Sequence, residues 1–521
     1  MTGGGLYVLI SYGSQNVILS GNPQMTYYYK IFKRYSHFAM ENVSIALDGP
    51  SLLSVDSRIQ LRTKIQRIGD LLSDMFLTVT IPDIYSKFVP RPSPNGRIYQ
   101  YEFQWVKALG AAMINSVEFF IGGQSIQKLD GTYLYAKAQL EYDIVAYEKW
   151  NTLIGNVNNL NNPSAGAYQT NPNINAPLYP TVQRNGTAAQ ANRPSIFGQD
   201  IHIPLNFWFT DAASQALPLI ALQYQDCEVV ITLNPAQSLY TILDPSGNRV
   251  APQYRETATS RNSNVYIGNN PTYAATTEQT TIQQFMTDIG YDVPLTPWPL
   301  NPRLQCTFVY LSDEERITFA SRPLTYVYPQ IRTLPLGPVS ETSRTFNLEV
   351  TNPITRFIFI TRRSDWVQRN DFTNFTNWYT YPFAPYDTGG LTPPLSSPTT
   401  GLSGLIVPNS QKDILRSVRV LCNGNEIQEQ KPVDFLTKIY PFRYTTGSAN
   451  AEIPIYTWAI TSSKTQPSGS LNASRITNFQ LQAFFYTLPA NTNYVYEFTL
   501  YVESINFLVI VSGSGAPKYV L

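Results

Sequence analysis

Histidine and cysteine are scarce in this chain, with two and three copies among 521 residues. His37 and His202 are too few for histidine-based acid/base work or a zinc centre, and both sit in strand-like stretches that read as structural. Cys227, Cys306 and Cys422 are far apart and odd in number, so neither a disulfide framework nor a CxxC metal site is indicated, and a reducing compartment fits. Charge is sparse too: 14% of residues are charged, 37 Lys and Arg against 36 Asp and Glu, for a net charge of +1. The long-range field expected of a nucleic-acid binder is therefore missing. No run approaches the roughly eighteen apolar residues of a membrane span, and "MTGGGLYVLISYGSQ" has no Lys or Arg before its apolar residues, so neither insertion nor secretion is expected. "MTGGGL" and "SGSGAP" lack the strand, helix and Lys of a phosphate loop and read as flexible arms; no cofactor or metal is expected. Asp313, Glu314 and Glu315 in "SDEER" are adjacent acids at a helix start, which suits capping rather than two carboxylates across a cleft, and no enzyme is expected.

What is abundant points to strands. Aromatic residues make up 13% of the chain, with 38 Pro and 29 Gly, a balance that favours many short strands joined by turns. In "IHIPLNFWF", Ile201, Ile203, Leu205, Phe207 and Phe209 alternate with His202, Pro204 and Asn206, predicting one half-buried strand. "RIQLRTKI" sets Arg58, Gln60, Arg62 and Lys64 against Ile59, Leu61 and Ile65; Arg62 and Lys64 suit a solvated or subunit-facing surface better than a phosphate site. "YVYEFTLYVES" puts Tyr494, Tyr496, Phe498, Leu500 and Val502 on one face. Helical stretches are few and short, the best two being "TYLYAKAQLEYDIVAYEKW" and "SDEERITFAS", where Ser312 and Glu315 form a capping-box sequence.

An internal repeat organises the chain. "SVEFFIGGQSIQ" from Ser116 and "SVRVLCNGNEIQ" from Ser417 align without a gap and share five of twelve positions at an offset of 301 residues. Each is followed by a strand ("IHIPLNFWF", then "IPIYTWAI") and, later, a closing strand ("QCTFVYL", then "YEFTLYV"). Two β-sandwiches of one topology, each an eight-stranded jelly roll, explain this order. The expected fold is all-β: two tandem jelly rolls with long loop insertions and a few short helices. The expected divisions are an arm over 1–25, a first jelly roll over 26–320 and a second over 321–521.

Several passages resemble one family. "YGSQNVILSGNPQMTYYYKIFKRYSHFAMENVSIAL", "FWFTDAASQALPLIALQYQDCEVVI", "FVYLSDEERITFAS", "LCNGNEIQEQ" and "QPSGSLNASRITNFQL" occur in the order found in the major capsid proteins of nucleocytoplasmic large DNA viruses. The resemblance implies a structural protein of a virion's outer capsid, assembled in the host cytoplasm. It implies a homotrimer forming a pseudo-hexagonal capsomer, with neighbouring capsomers and minor capsid and penton proteins as partners. An inner membrane would be contacted through the N-terminal arm, without direct nucleic acid binding. A minor capsid or penton-type protein, or a jelly-roll glycan-binding protein, is the alternative.

Three insertions complete the reading. Residues of about 156–195 fall between the fifth and sixth strands of the first jelly roll, 237–300 before its last, and 366–411 between the third and fourth of the second. Strand order puts all three at one end, as an outward tower. Asn-x-Ser/Thr sequons occur at Asn42, Asn185, Asn374 and Asn472; of these, Asn185 and Asn374 fall in the tower and are the candidate glycan sites. Lys30, Lys33, Arg34 and Tyr27 to Tyr29 are expected on or beside the first strand, with alternate rings in the core and the cations facing another subunit or solvent.

Overall fold

The computed structural model describes residues 4–519 except 12, 31, 87–101, 166–178, 181–193, 244–248, 255–280, 287–297, 379–410, 448–451, 462–465 and 489–493. Period-two alternation of apolar residues becomes sixteen principal strands. The first eight are β1 (Phe38–Ala46), β2 (Ile59–Ile65), β3 (Leu71–Ile81), β4 (Ile114–Ile121), β5 (Gln124–Leu129), β6 (Gln199–Pro204), β7 (Cys227–Leu233) and β8 (Arg303–Leu311). The second eight are β9 (Leu324–Val339), β10 (Ser343–Asn347), β11 (Pro353–Arg363), β12 (Leu415–Cys422), β13 (Asn425–Pro432), β14 (Ile455–Thr457), β15 (Phe479–Phe485) and β16 (Tyr496–Val511).

The first set forms sheets β1-β8-β3-β6 and β2-β7-β4-β5, and the second forms β9-β16-β11-β14 and β10-β15-β12-β13. Adding eight to each strand number of the first sandwich therefore produces the second. Both have jelly-roll topology, and the repeated sequence is the β4–β5 hairpin in one and β12–β13 in the other. Each turns through two positive-φ residues, Gly122 (57°) and Gly123 (80°), then Asn423 (50°) and Gly424 (82°); such a turn matches the twist of its strands. Even the irregularities recur. Strand β3 is bulged against β8 beside Asp74, and β11 against β16 beside Arg356.

β2 alternates as its sequence predicts, with Ile59, Leu61, Thr63 and Ile65 buried and Gln60, Arg62 and Lys64 exposed. Arg62 pairs with Glu228 and Lys64 with Asp226 on neighbouring β7 and its approach, so these cations are partnered on a solvated sheet face. In β16, Tyr496, Phe498, Leu500 and Val502 enter the second sandwich's own core. The opposite side is also covered: Tyr501 and Leu508, with Ile358 and Ile360 of β11, join the core of the first sandwich. The central strands β16 and β11 of the β9-β16-β11-β14 sheet thus form a buried middle layer shared by both halves, and β11 is buried without a break from Arg356 to Arg363.

Several local expectations are corrected. The strand in "IHIPLNFWF" stops at Pro204; Asn206 takes a positive φ of 46°, and Phe207, Trp208 and Phe209 all turn in around Phe119. His202 is structural, its Nδ1 2.8 Å from Thr78 Oγ1, whereas His37 lies exposed before β1 instead of within a strand. The apolar N-terminus forms helix α1 (Gly4–Ser11) instead of an irregular Gly-rich arm. "TYLYAKAQLEYDIVAYEKW" divides into α2 (Gly131–Glu141) and α3 (Ile144–Leu153) because Asp130 and Asp143 each cap a new start, accepting from the amides of Tyr133 and Ala146. Ser312 precedes α4 (Asp313–Ser321) as expected but forms no side-chain cap bond. "SGSGAP" is a turn and strand, with Ser514–Pro517 paired back onto β16.

Gly131 opens α2 against the β4 approach, and a Cβ there would collide with the carbonyl oxygens of Ala111 and Ile114. Gly131→Ala is expected to destabilise the chain by about 1–3 kcal/mol through forced backbone displacement, measured by denaturant unfolding.

Candidate functional site: the seam between the sandwiches and the surfaces it holds

Helix α2 lies between the two halves. Its N-cap, Asp130, accepts hydrogen bonds from the Tyr133 amide (2.7 Å) and from the hydroxyl of Tyr501 on β16 (2.8 and 2.9 Å). One turn further, the Tyr133 hydroxyl donates to Glu503 Oε1 at 2.8 Å. Arg356 of β11 is fully buried, its Nε and Nη2 donating to the two oxygens of Glu503 at 2.8 and 2.6 Å while Nη2 also reaches Glu141 at 2.8 Å. Lys137, between Tyr133 and Glu141 on α2, holds Asp211 at 2.9 Å. The spacing of Tyr133, Lys137 and Glu141 places all three on one helical stripe. Arg362 adds a guanidinium among the rings of Trp366, Phe372 and Phe375 and donates to the Phe372 carbonyl.

Burial sets the electrostatics of this cluster. Desolvation raises the carboxyl of Glu141, opposed by Lys137 and Arg356, and likewise raises Asp130 despite its hydrogen bonds. Burial works against the charge of Arg356, but Glu503 and Glu141 more than offset it and hold the guanidinium protonated. Lys137 follows the same logic, with Asp211 and Glu141 outweighing desolvation. Such a network discriminates between arrangements: a shifted docking would leave buried charges without partners.

Arg356→Met leaves Glu503 buried without its cation and Glu141 with Lys137 alone, and is expected to cost about 3–5 kcal/mol, read as a lower denaturation midpoint. Glu141 is raised in the folded chain, so the folded state binds its proton more readily than the unfolded one. Its contribution to stability therefore falls as pH rises from the ordinary value of 4.5 through the raised value, and recovers on acidification. Glu141→Gln is expected to flatten that part of the stability profile in paired pH titrations.

At one end of the chain's two sandwiches, the described parts of the insertions meet. Phe103–Trp105, from the β3–β4 connection, pairs with Tyr240–Leu243 from the β7–β8 connection, which pairs with Arg249–Val250. Phe103, Trp105, Tyr240, Phe285 and Trp298 pack ring against ring. Tyr179, from the β5–β6 insertion, donates to the Phe103 carbonyl at 2.7 Å. The second sandwich joins in, as Asn370 Nδ2 donates to the carbonyls of Gln237 and Tyr240. The participation of the β3–β4 connection carries no insertion signal in the sequence beyond its Pro, Gly and Tyr content.

Of the candidate glycan sites, Asn185 lies outside the described residues. Asn374 does not fit a glycan: it is 4% exposed, and its amide nitrogen donates to Asp371 Oδ2 and the Trp378 carbonyl. The Asn-Phe-Thr sequence instead makes a local turn in which Asn374 Oδ1 accepts from the Thr376 amide and hydroxyl. All three cysteines are free and buried, and burial pushes the thiols of Cys227 and Cys306 up to about 12.

The aromatic and basic stretch is placed differently from its sequence expectation. Strand β1 begins at Phe38, opposite the end of β8 at Leu311, so the described residues of 26–30 and 32–37 find no strand partner. Tyr27, Tyr28, Tyr29, Phe32 and Tyr35 are 71–100% exposed, and Leu6, Leu9, Ile10, Ile18 and Leu19 of the arm are also exposed. None of these rings enters the core. No helix of the described residues is long and apolar enough to cross a membrane.

Comparison with known proteins agrees with this architecture. A family model described as the major capsid protein N-terminus matches residues 26–270, and one described as the large eukaryotic DNA virus major capsid protein matches residues 315–516. The major capsid protein of Chrysochromulina ericina virus is 23% identical over 99% of this chain and 100% of its own. That of Paramecium bursaria Chlorella virus 1 is 23% identical over 99% of each. Among solved structures, a chain of the PBCV-1 virus capsid quasi-atomic model superposes with a TM-score of 0.64 at 18% identity, covering 95% of this chain and 100% of that one. The Faustovirus major capsid protein gives 0.62 at 13% identity, covering 96% and 94%. With two sandwiches in tandem, one strand order in both and family matches in each half, the chain belongs to the major capsid proteins of the nucleocytoplasmic large DNA viruses.

Proposed function

We propose that three copies of this chain close into a pseudo-hexagonal capsomer that tiles the outer shell of a large icosahedral DNA virus. The observation that carries the reading is the strand-for-strand repetition of one sandwich, locked to its copy by a buried seam. Three such chains supply six similar corners, and a closed three-fold ring needs one kind of heterologous contact to do so. In this reading the arm spans 1–25 and the jelly rolls 26–320 and 321–521. The function is structural, without catalysis or cofactor.

The joined insertions form the base of an outward tower, supported by hydrogen bonds among connections from both sandwiches. Asn185 is the remaining tower position for a glycan. The exposed apolar arm runs beneath the capsomer toward a neighbouring capsomer, a minor capsid or penton protein, or an inner membrane, and assembly proceeds in the host cytoplasm. The rings and cations of residues 27–34 serve these protein or membrane contacts; direct genome binding is not part of the reading. The duplication favours the facet-forming protein over a minor or penton-type protein with a single sandwich.

Light scattering on the purified protein tests the reading. Three chains of 58.7 kDa give a species of about 176 kDa, and that species is expected; a monomer under all assembly conditions would overturn it. Deleting residues 1–24 is expected to leave the capsomer intact and to impair shell assembly, scored by electron microscopy of assembled particles.

A further inference from the structure

The internal contact between the two sandwiches has an unfilled counterpart on the surface. Inside the chain, α2 follows β5 and covers the outer face of the β9-β16-β11-β14 sheet through Tyr133 and Glu141, with Lys137 between them paired to Asp211. In the second sandwich, the helical segment 433–444 follows β13 in the same way. Matching the two helix starts in sequence aligns Phe435, Ile439 and Arg443 with Tyr133, Lys137 and Glu141, although Phe435–Ile439 winds as a π-helix where α2 is α-helical. Phe435 is half-buried against Tyr440, but Ile439 is 51% exposed and Arg443 is exposed, and the adjoining Lys438 and Phe442, the latter 89% exposed, are open as well.

The sheet that would receive it is also open. The outer face of β1-β8-β3-β6 carries Met40, Asn42, Asp74, Phe76, Gln305 and Thr307, all exposed or half-buried, whereas Arg356, Ile358, Tyr501 and Glu503 on the corresponding second sheet are buried. The recurring bulge fixes the correspondence. Arg356 pairs with Glu503 next to the bulge in β11, and Asp74 pairs with Thr307 next to the bulge in β3. Asp74 therefore occupies the position of Arg356. Its carboxyl is raised by burial, with no cation offsetting it, and among the described residues neither Asp74 nor Arg443 has an ion-pair partner. The signs are exchanged but complementary: Arg356 on the sheet with Glu141 on the helix inside the chain, Asp74 on the sheet and Arg443 on the helix at its two open surfaces.

We propose that the helical segment 433–444 of one copy caps the outer face of the β1-β8-β3-β6 sheet of the next copy, with Arg443 set against Asp74 and Ile439 and Phe442 filling the apolar contact. The inference rests on the trimer reading and specifies which surfaces make it. A heterologous contact of this kind repeats head to tail, as ring closure requires, and a desolvated charge pair beside apolar anchors is where interface energy concentrates.

Charge exchange tests it. Asp74→Arg and Arg443→Asp are each expected to raise the concentration of half-dissociation at least about tenfold, and the double exchange is expected to recover most of that loss. Near-UV circular dichroism of the dissociated chains checks that the sandwiches remain folded, and Phe442→Asp, at an 89% exposed position, gives a second disruption independent of the charge pair. A trimer unaffected by all three single variants would overturn this interface while leaving the trimer reading standing. Single-variant losses that the double exchange does not recover would overturn the pairing of Asp74 with Arg443. A wild-type chain that never trimerises would overturn the reading beneath it, and this interface with it.

Discussion

The relation between the two sandwiches depends on a guanidinium buried between carboxylates. Arg356 reaches Glu503 on its own sheet and Glu141 on α2, so the charge is satisfied only when the first sandwich's helix lies over the second sandwich's sheet. Hydrophobic burial supplies attraction across the seam without selecting an angle. The ions, with the Asp130–Tyr501 and Tyr133–Glu503 hydrogen bonds, select one. A shell built by repetition needs that selection, because angular error in each chain would propagate into every ring closed from it.

The middle sheet bears the structural cost of this arrangement. Its central strands β11 and β16 are largely buried on both faces, which an antiparallel sheet at a protein surface does not require, and β11 achieves this with the bulge beside Arg356. The extra residue re-aims the strand so that Phe357 and Phe359 enter the second core while Arg356, Ile358 and Ile360 face the first. The first sandwich has the same bulge and an uncovered face. One fold has thus been used twice with different surroundings, and the difference in burial distinguishes the contact made inside the chain from the one offered outside it.

The ends of the sandwiches follow a different rule. Connections of great length emerge from one end, and their described bases are tied by short strands, stacked rings and side chains bonded to carbonyls. Variation in such loops leaves the sheets untouched, since their ends are fixed by the scaffold. Sequence identities of only 23% to full-length relatives, together with TM-scores above 0.6, fit a scaffold specified by its alternating pattern and turns more than by particular residues.

Alternation in "RIQLRTKI", the Gly-containing hairpin at 301 residues' separation and the Ser312 helix start were legible because each depends on neighbours in sequence: side chains alternate along a strand, and a turn needs its own backbone angles. The repeat carried the two-sandwich fold with it. The tertiary structure decided what depends on distant partners. Whether Tyr27 to Tyr29 find a core depended on where β8 ends, whether Asn374 is accessible depended on the turn that closes over it, and whether Glu503 is a surface acid or a buried anchor depended on α2, more than 350 residues away. Local pattern specifies elements because its physics is local; burial and ion pairing belong to groups that only the folded chain brings together.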